Sequence, residues 1–246
     1  MRLLNHIKKF GIDAPRVIIL LCGLGLLALF GAALLATLLH PQAPLWRDLG
    51  VLYLLVTSCT LLIPSILMLY SSVIGKGRLA KELAAALHIP SHAHLLDVGC
   101  GSGLFLIELA KRFETAHLFG IDSWKRGDLS GNHAMRAMEN AASAGVAAQI
   151  EVHTADMRSI PFPDQTFDLV LSCLAIHNVK GREERGQALL EMARVVKPGG
   201  KILLIDFRYG AEYRAFFTDL GWQEVVLSKP LPYLFPRVRA LTGKKR

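Results

Sequence analysis

The sequence predicts an α/β protein with a doubly wound, mostly parallel seven-stranded sheet that is preceded by a two-helix transmembrane hairpin. Two long runs without charged residues lie near the start of the 246-residue chain, and short β-rich segments alternate with amphipathic helical segments after them. Strands that alternate with helices are joined by right-handed crossovers, which give a parallel sheet with helices on both faces. We therefore expect an N-terminal segment over 1–16, a hairpin over 17–74 and an α/β domain over 75–246.

The composition supports this division. Hydrophobic residues make up 52% of the chain and are concentrated in the two uncharged runs, while the formal net charge is +8. These values exclude a disordered chain and a collagen. The four cysteines show neither a disulfide framework nor the spacing of zinc ligands, so we predict no metal site.

Both uncharged runs are long enough to cross a membrane. They extend over 17–39 and 49–74, and a helix that rises about 1.5 Å per residue spans a hydrocarbon core of ~30 Å within either run. Pro41 and Pro44 stop the first helix in a short linker, and Trp46 suits a membrane interface. A buried core helix and a cleaved signal peptide are the alternatives, but the length and close succession of the runs favour two spans.

Basic residues flank both outer ends of the hairpin. The positive-inside rule therefore places the N-terminus and the α/β domain in the cytoplasm, and we expect an integral protein of a bacterial inner membrane. The lipid bilayer is then a partner, and anionic headgroups are the expected neighbours of the basic side chains. Nucleic acid is not expected, and a solvated basic face is the alternative. The basic residues are Arg2, Lys8, Lys9 and Arg16 before the first run and Lys76, Arg78 and Lys81 after the second.

The elements of the α/β domain follow from the periodicity of apolar residues. Helices show apolar side chains every three or four residues, and strands are short apolar runs bounded by turn residues. The sequence Lys197-Pro198-Gly199-Gly200 is expected to end the helix before it. The predicted helices extend over 78–87, 104–113, 129–144, 182–196 and 213–220. The predicted strands extend over 94–98, 117–121, 149–153, 167–172, 201–206, 222–227 and 237–242.

A glycine-rich loop follows the first strand, at the sheet edge where ligands bind in such folds. Gly99, Gly101 and Gly103 allow the backbone to turn sharply and to approach a ligand without steric hindrance. The loop differs from a dinucleotide-binding loop, because Leu104 stands where G-x-G-x-x-G requires its third glycine and because Asp97 would repel a pyrophosphate.

Acidic and small residues follow the next three strands. Asp122 can accept hydrogen bonds from a ribose diol. Asp156 can accept a hydrogen bond from an exocyclic amine, and Met157 can pack on an aromatic base. Ser172 and Cys173 leave room for a ligand. Each residue also fits a cap or a turn, but their common position at one sheet edge favours a binding site.

Several segments resemble the motifs of class I S-adenosylmethionine (SAM) methyltransferases, which have a Rossmann-like fold. Residues 95–103 (LLDVGCGSG) resemble the first motif, 120–122 (GID) the acid of the second strand, 155–168 the adenine-side segment and 191–201 the last motif. The resemblance covers about residues 76–242 and is to the small-molecule branch, which includes enzymes of quinone biosynthesis. It implies SAM as the cofactor and a small-molecule methyl acceptor.

The resemblance also implies a role for each motif residue. The glycines would lie against the methionine part of SAM, Asp97 would face its ammonium, Asp122 would hold the ribose, and Asp156 with Met157 would flank the adenine. Ser172 and Cys173 would lie near the sulfonium. The expected cofactor-binding residues are Asp97, Gly99, Cys100, Gly101, Gly103, Asp122, Ser123, Asp156, Met157, Ser172 and Cys173.

Methyl transfer requires alignment more than acid–base catalysis, so a general base is needed only for a protonated acceptor of high pKa. His177 follows the fourth strand and is the candidate catalytic residue; a hydrogen-bonded structural histidine is the alternative. Asn132 and His133 are weaker candidates for the acceptor side. The fourth strand is not followed by the (Asn/Asp)-Pro-Pro-(Tyr/Phe) motif of many nucleic-acid methyltransferases, which argues against nucleic acid as the substrate.

Together these features predict a membrane-anchored SAM-dependent methyltransferase that acts on a small, apolar or membrane-partitioned acceptor. A non-catalytic SAM-binding membrane protein of the same fold is the alternative from another class. A nicotinamide oxidoreductase is disfavoured by Leu104 and Asp97. The sequence leaves the acceptor atom and the oligomeric state open.

Overall fold

Two long antiparallel helices open the chain in the computed structural model, which describes residues 7–38, 44–125 and 129–246. Helix α1 (Pro15–Leu38) packs along helix α2 (Pro44–Tyr70). Small residues allow the close approach, because a Cβ atom on Gly25 would lie 2.7 Å from Leu62 Cγ. Pro41 and the rest of 39–43 lie outside the described residues.

The faces of α1 and α2 that point away from each other are apolar and exposed. Ile19, Phe30 and Tyr53 each expose about two thirds or more of their surface (70%, 66% and 70%). By length and composition, Pro15–Thr37 and part of Leu45–Ala86 are apolar enough to cross a membrane. That they do cross one stays a prediction.

The second hairpin helix continues directly into the α/β domain. A π-helical segment (Ser71–Gly75) follows α2 and leads into helix α3 (Lys76–Ala86) without a break. The predicted helix over 78–87 therefore begins two residues earlier than expected. This continuity brings Ser72 and Lys76 from the end of the hairpin to the edge of the sheet.

The sheet has seven strands in the order β3-β2-β1-β4-β5-β7-β6. The neighbouring pairs among the first five strands of the chain are parallel. Strand β7 is antiparallel to both of its neighbours, β5 and β6. This confirms the predicted doubly wound, mostly parallel sheet. The strands are β1 (His94–Val98), β2 (His117–Asp122), β3 (Ile150–Thr154), β4 (Phe167–Cys173), β5 (Val196–Asp206), β6 (Gln223–Leu227) and β7 (Arg239–Lys244).

Strand β5 is longer than predicted. The segment Lys197–Gly200 follows the end of the preceding helix, as predicted, but it belongs to the strand, whose predicted start was residue 201. The Gly199 N–H donates to the Lys245 carbonyl at 3.0 Å, and the Lys245 N–H donates to the Gly200 carbonyl at 2.9 Å. The backbone of this segment therefore pairs with the end of the chain, beyond β7.

Helices cover both faces of the sheet and form two cores. Leu95 of β1 packs in the core beneath α3, α4 and α5, and Leu96 packs in the core beneath α6 and α7. The helices are α4 (Leu104–Arg112), α5 (Ala134–Ser143), α6 (Arg182–Val195) and α7 (Gly210–Asp219).

Helix α5 is shorter than the predicted helix over 129–144. Leu129 instead forms a β-bridge with Asp13, and the His133 side chain caps the helix by accepting a hydrogen bond from the Arg136 N–H. Residues 126–128 lie outside the described part. The non-helical residues before α5 thus pair with the N-terminal segment of the chain. The periodicity of apolar residues does not indicate such a long-range contact.

Candidate functional site

A cavity of about 330 Å³ lies at the carboxyl ends of β1 to β4. Its volume suits a small ligand. The four loops singled out from the sequence all contribute to its wall. The expected cofactor-binding residues that line it are Asp97, Gly99, Cys100, Gly101, Asp122, Ser123, Asp156, Met157 and Cys173.

The glycine-rich loop needs glycine at its first position. Gly99 has a φ of +80°, and a Cβ atom there would lie 2.2 Å from the Cβ of Ala175. Any other residue would therefore combine an unfavourable backbone conformation with a clash. Gly103 also has a positive φ, at the start of α4, but it is not among the residues that line the cavity.

The Asp122 carboxylate joins the ends of β1 and β2. One oxygen accepts a hydrogen bond from the Gly101 N–H at 2.9 Å, and the other accepts one from the Trp124 N–H at 2.6 Å. These bonds fix the orientation of the carboxylate at the cavity. The oxygen that accepts from Gly101 keeps a further lone pair with which it can accept from a ligand hydroxyl.

Asp97 is buried at the end of β1, next to Asp122. Burial, together with the negative charge of Asp122, raises the pKa of Asp97 to about 8. A cation bound in the cavity would favour its ionised form. The site is thus suited to an ammonium group and unsuited to a pyrophosphate.

Asp156 is held in its charged form at the end of β3. The Arg158 guanidinium donates to both of its oxygens and lowers the pKa of the carboxyl. Arg158 also pairs with Glu184 at 3.0 Å. Met157, beside Asp156, is partly buried against the core beneath α6.

The two predicted residues at the end of β4 have different surroundings. Ser172 is buried, and its hydroxyl donates to the Val98 carbonyl at 2.7 Å, so it ties β4 to β1 instead of lining the cavity. Cys173 does line the cavity. Burial raises the pKa of both the Cys173 and the Cys100 thiol, so each remains protonated at neutral pH.

His177 is not among the residues that line the cavity, although its neighbour Asn178 is. Its Nδ1 atom is 2.9 Å from Asp206 Oδ1, its backbone N–H donates to the other oxygen of Asp206, and its ring packs against Phe207. The backbone hydrogen bond fits the structural alternative, whereas Nδ1 of the ring makes no hydrogen bond within the described part of the chain. The catalytic role of His177 stays a prediction.

Asn132 contributes an unused hydrogen-bond acceptor to the cavity. The residue is buried and lines the cavity, and its Nδ2 atom donates weakly to Asp122 at 3.4 Å. Its Oδ1 atom is buried and has no hydrogen-bond partner within the described part of the chain. A buried acceptor without a partner is costly, so a ligand that donates a hydrogen bond would stabilise it. The residues present thus fit a ligand with hydroxyl or ammonium donors, as SAM has.

Two charged residues of the cavity wall were not predicted from the sequence to belong to the site. Asp13 and Lys76 line the cavity and form an ion pair at 2.8 Å. The Ser72 hydroxyl donates to the other Asp13 oxygen at 3.0 Å. The available signal was that Asp13 is the single acid among the basic residues before the first uncharged run.

The chain before α1 lies against the glycine-rich loop; we call residues 7–14 the N-terminal strap. Arg136 of α5 donates to the carbonyls of Ile7, Lys8 and Lys9. The Ser102 hydroxyl donates to the Phe10 carbonyl at 3.0 Å. The strap is therefore bound to the domain at several points beside the cavity.

Comparison with known proteins identifies relatives of the part that forms the cavity. Residues 96–204 match the family described as "Methyltransferase domain". The chain is 31% identical over 127 residues to a demethylmenaquinone methyltransferase of Lactiplantibacillus plantarum. The aligned segment covers 51% of this chain and 50% of that protein. The chain is 31% identical over 167 residues to a sterol 4-C-methyltransferase of Caenorhabditis elegans, which covers 66% of this chain and 47% of that protein.

The chain thus spans about half the length of these curated relatives. Among solved structures, a SAM-dependent methyltransferase from Aquifex aeolicus superposes with a TM-score of 0.54 at 19% identity, over 68% of this chain and 89% of the other. At that identity the likeness concerns the fold.

Proposed function

We propose, from the match of residues 96–204 to the family described as "Methyltransferase domain", that this protein is a class I SAM-dependent methyltransferase that transfers the methyl group of SAM to a small acceptor. The observation that carries the proposal is the cavity itself. The ends of the three strands β1, β2 and β3 bring Asp97, Asp122 and Asp156 to one cavity, where Asn132 presents a buried acceptor that has no partner among the described residues. These groups match the ammonium, hydroxyl and amine donors of one SAM molecule.

The residues of the cavity would bind and orient the cofactor. SAM, when bound, supplies a methyl group on a positively charged sulfur, and the acceptor takes that methyl while the C–S bond breaks to leave a neutral thioether. Asp97 would accept from the ammonium, Asp122 from the ribose hydroxyls and Asp156 from the adenine amine. The missing side chain at Gly99 lets the glycine-rich loop pack directly against Ala175 in the cavity wall.

Catalysis would then rest on alignment in a site from which water is excluded. The thiols of Cys100 and Cys173 remain protonated and do not compete with the acceptor for the methyl group. No group of the cavity wall has to act as a general base for an acceptor that ionises readily.

We further propose that the acceptor partitions into the bilayer and that α1 and α2 span the membrane. The apolar outer faces of both helices support this, as does the apolar nature of the substrates named for the relatives, a demethylmenaquinone and a sterol. Holding the domain at the membrane raises the local concentration of such an acceptor. The basic flanks support a cytoplasmic location of the domain at a bacterial inner membrane.

The first test is SAM binding by the full chain in detergent, measured by isothermal titration calorimetry. Asp122→Ala should abolish measurable binding, because it removes both the ribose acceptor and the bonds that hold Gly101 and Trp124. Asp219→Ala, an exposed acid at the end of α7, should bind like the unchanged protein. Failure of the unchanged protein to bind SAM would refute the proposal.

The second test identifies the acceptor. Membrane extract is incubated with the protein and SAM that carries an isotope-labelled methyl group, and the products are analysed by mass spectrometry. We expect label in an apolar, extractable small molecule, and none with Asp122→Ala. Tight SAM binding without labelling of any component would instead favour the non-catalytic SAM-binding alternative.

A further inference from the structure

The end of the hairpin forms part of the cavity wall. Lys76 is the first residue of α3, directly after the hairpin, and Asp13 lies two residues before α1. Their ion pair therefore joins the two ends of the hairpin to each other at the cavity. The Ser72 hydroxyl, which donates to Asp13, adds a third contact from the hairpin side.

Lys76 lines the same cavity as Asp97, at the end of β1, and Cys173, at the end of β4. Its positive charge favours the ionised forms of both groups, which agrees with a position at that end of the cavity. Lys125 and Arg158, which also line the cavity, instead stabilise the ionised form of Asp156. The cavity wall thus holds Lys125 and Arg158 near Asp156 and Lys76 away from them, while a further lysine, Lys180, lines the cavity in the segment after β4.

Strand order gives the direction of a bound cofactor. Asp156 follows β3 and Cys173 follows β4, and these strands are separated by β2 and β1. Three strand spacings of about 4.8 Å put roughly 14 Å between the two ends. If adenine lies at the β3 end and the ribose at Asp122, the amino-acid end of the cofactor lies beside β1 and β4, next to Lys76.

The charges at that end match an α-amino acid. A methionine moiety carries one ammonium and one carboxylate, and Asp97 can bind only the ammonium. Within the described part of the chain, the hydrogen bond recorded for Lys76 Nζ goes to Asp13, which uses one of the three donors of an ammonium. Two donors remain for a carboxylate.

We propose that the hairpin takes part in cofactor binding: the Lys76 ammonium binds the α-carboxylate of SAM, and Asp13 is a positioning residue that holds Lys76 in place. The proposal rests on the proposed function, since it assumes that SAM occupies the cavity. Under this proposal the two ends of the hairpin belong to the cofactor site, whereas the sequence alone connects them only with membrane anchoring.

The test compares two ligands that differ at the amino-acid end. S-adenosylhomocysteine carries the amino acid, and 5′-methylthioadenosine lacks it; both are titrated into the full chain in detergent. Lys76→Met should weaken S-adenosylhomocysteine about 10- to 100-fold, as expected for the loss of a charged hydrogen bond, and should leave 5′-methylthioadenosine within about twofold. Retained binding of the second ligand also shows that the variant is folded.

Matched variants isolate the role of each charge. Lys81→Met removes an exposed lysine of the same helix and should change neither affinity. Lys76→Arg should restore most of the affinity for S-adenosylhomocysteine. Asp13→Asn should weaken that ligand selectively but less than Lys76→Met does, and the double variant should be no worse than Lys76→Met alone.

Two outcomes would overturn the inference while leaving the proposed function intact. In one, Lys76→Met weakens both ligands equally, which would make Lys76 a structural residue of the cavity. In the other, it weakens neither. If the unchanged protein binds neither ligand, the proposed function itself fails.

Discussion

Asp97 shows how a single buried side chain reflects the ligand that a site is built to hold. Its carboxyl group is placed beside a second acid, Asp122, in a buried position that disfavours a charge. An arrangement that costs stability in the free protein is typical of functional sites. The bound cation that the site is suited to would offset that cost.

Asp97→Asn should stabilise the ligand-free protein increasingly as the pH rises. The unfolded carboxyl ionises near pH 4, whereas the folded one ionises at about 8, so the folded state binds more protons between these values and loses stability with rising pH. The asparagine has no such dependence. The advantage of the variant should grow by up to about 1.4 kcal/mol per pH unit between 4 and 8 and then level off.

Thermal unfolding of both proteins in the same detergent at pH 5, 7 and 9 measures this difference. Asp219→Asn, which changes an exposed acid, provides the control. A difference in melting temperature between Asp97→Asn and the unchanged protein that stays constant over this range would show that Asp97 ionises normally. Asp97→Asn should also bind SAM more weakly at every pH.

The sequence predicts the residues of the cavity correctly where those residues are close together along the chain. Asp97 lies at the end of β1 and Gly99 and Gly101 lie in the loop that follows it, and the position of this loop after a strand determines what it faces. Lys76 and Asp13 are 63 residues apart and meet only because of the hairpin between them. Their spacing along the chain carries no sign of that contact.

At the scale of elements, apolar periodicity predicts the strands and helices that bury one face, and it fails where tertiary contacts decide the structure. The strands of the central sheet were predicted to within a residue or two at β1 to β4. Residues 129–133 have helical periodicity but pair with the N-terminal strap, through Leu129 and Ser130. A partner more than a hundred residues away outweighs local helical preference there.

The N-terminal strap is predicted to depend on one side chain of α5. The guanidinium of Arg136 donates to three strap carbonyls and to those of Ser130 and Gly131. Arg136→Gln cannot make these contacts together, so the strap should detach more often. Limited trypsin digestion should then cut after Lys8 and Lys9 several times faster, as followed by mass spectrometry.

Arg112→Gln provides the matched control for this experiment. Arg112 ends α4, where its guanidinium lies over the Phe113 ring and not on the strap. It should leave the cleavage rate at Lys8 and Lys9 unchanged. Equal rates in Arg136→Gln and the unchanged protein would mean that the other strap contacts, such as the one from Ser102, are sufficient.

At the scale of the whole molecule, the hairpin and the domain are joined by more than a linker. The second hairpin helix continues through the π-helical segment into α3 without a break. The strap, which directly precedes the first hairpin helix, contacts the glycine-rich loop. Both ends of the hairpin are therefore fixed relative to the cavity. If α1 and α2 span a membrane, the cavity lies close to the surface of the lipid on the side where both ends emerge.

This geometry makes the topology of the chain a decisive prediction. A reporter that is active only in the cytoplasm should be active when fused after Arg246 and inactive when inserted at Gln42, between the two apolar helices. The reason is that both basic flanks lie at the domain side of the hairpin, where the positive-inside rule keeps them. The reciprocal signals of a reporter active only outside the cytoplasm provide the check.

Activity in the cytoplasm at both positions would show that the hairpin does not cross the membrane, and the apolar faces of α1 and α2 would then have to be covered in another way. Reversed signals would place the cavity outside the cytoplasm, where the protein would have no direct access to the cytoplasmic supply of SAM.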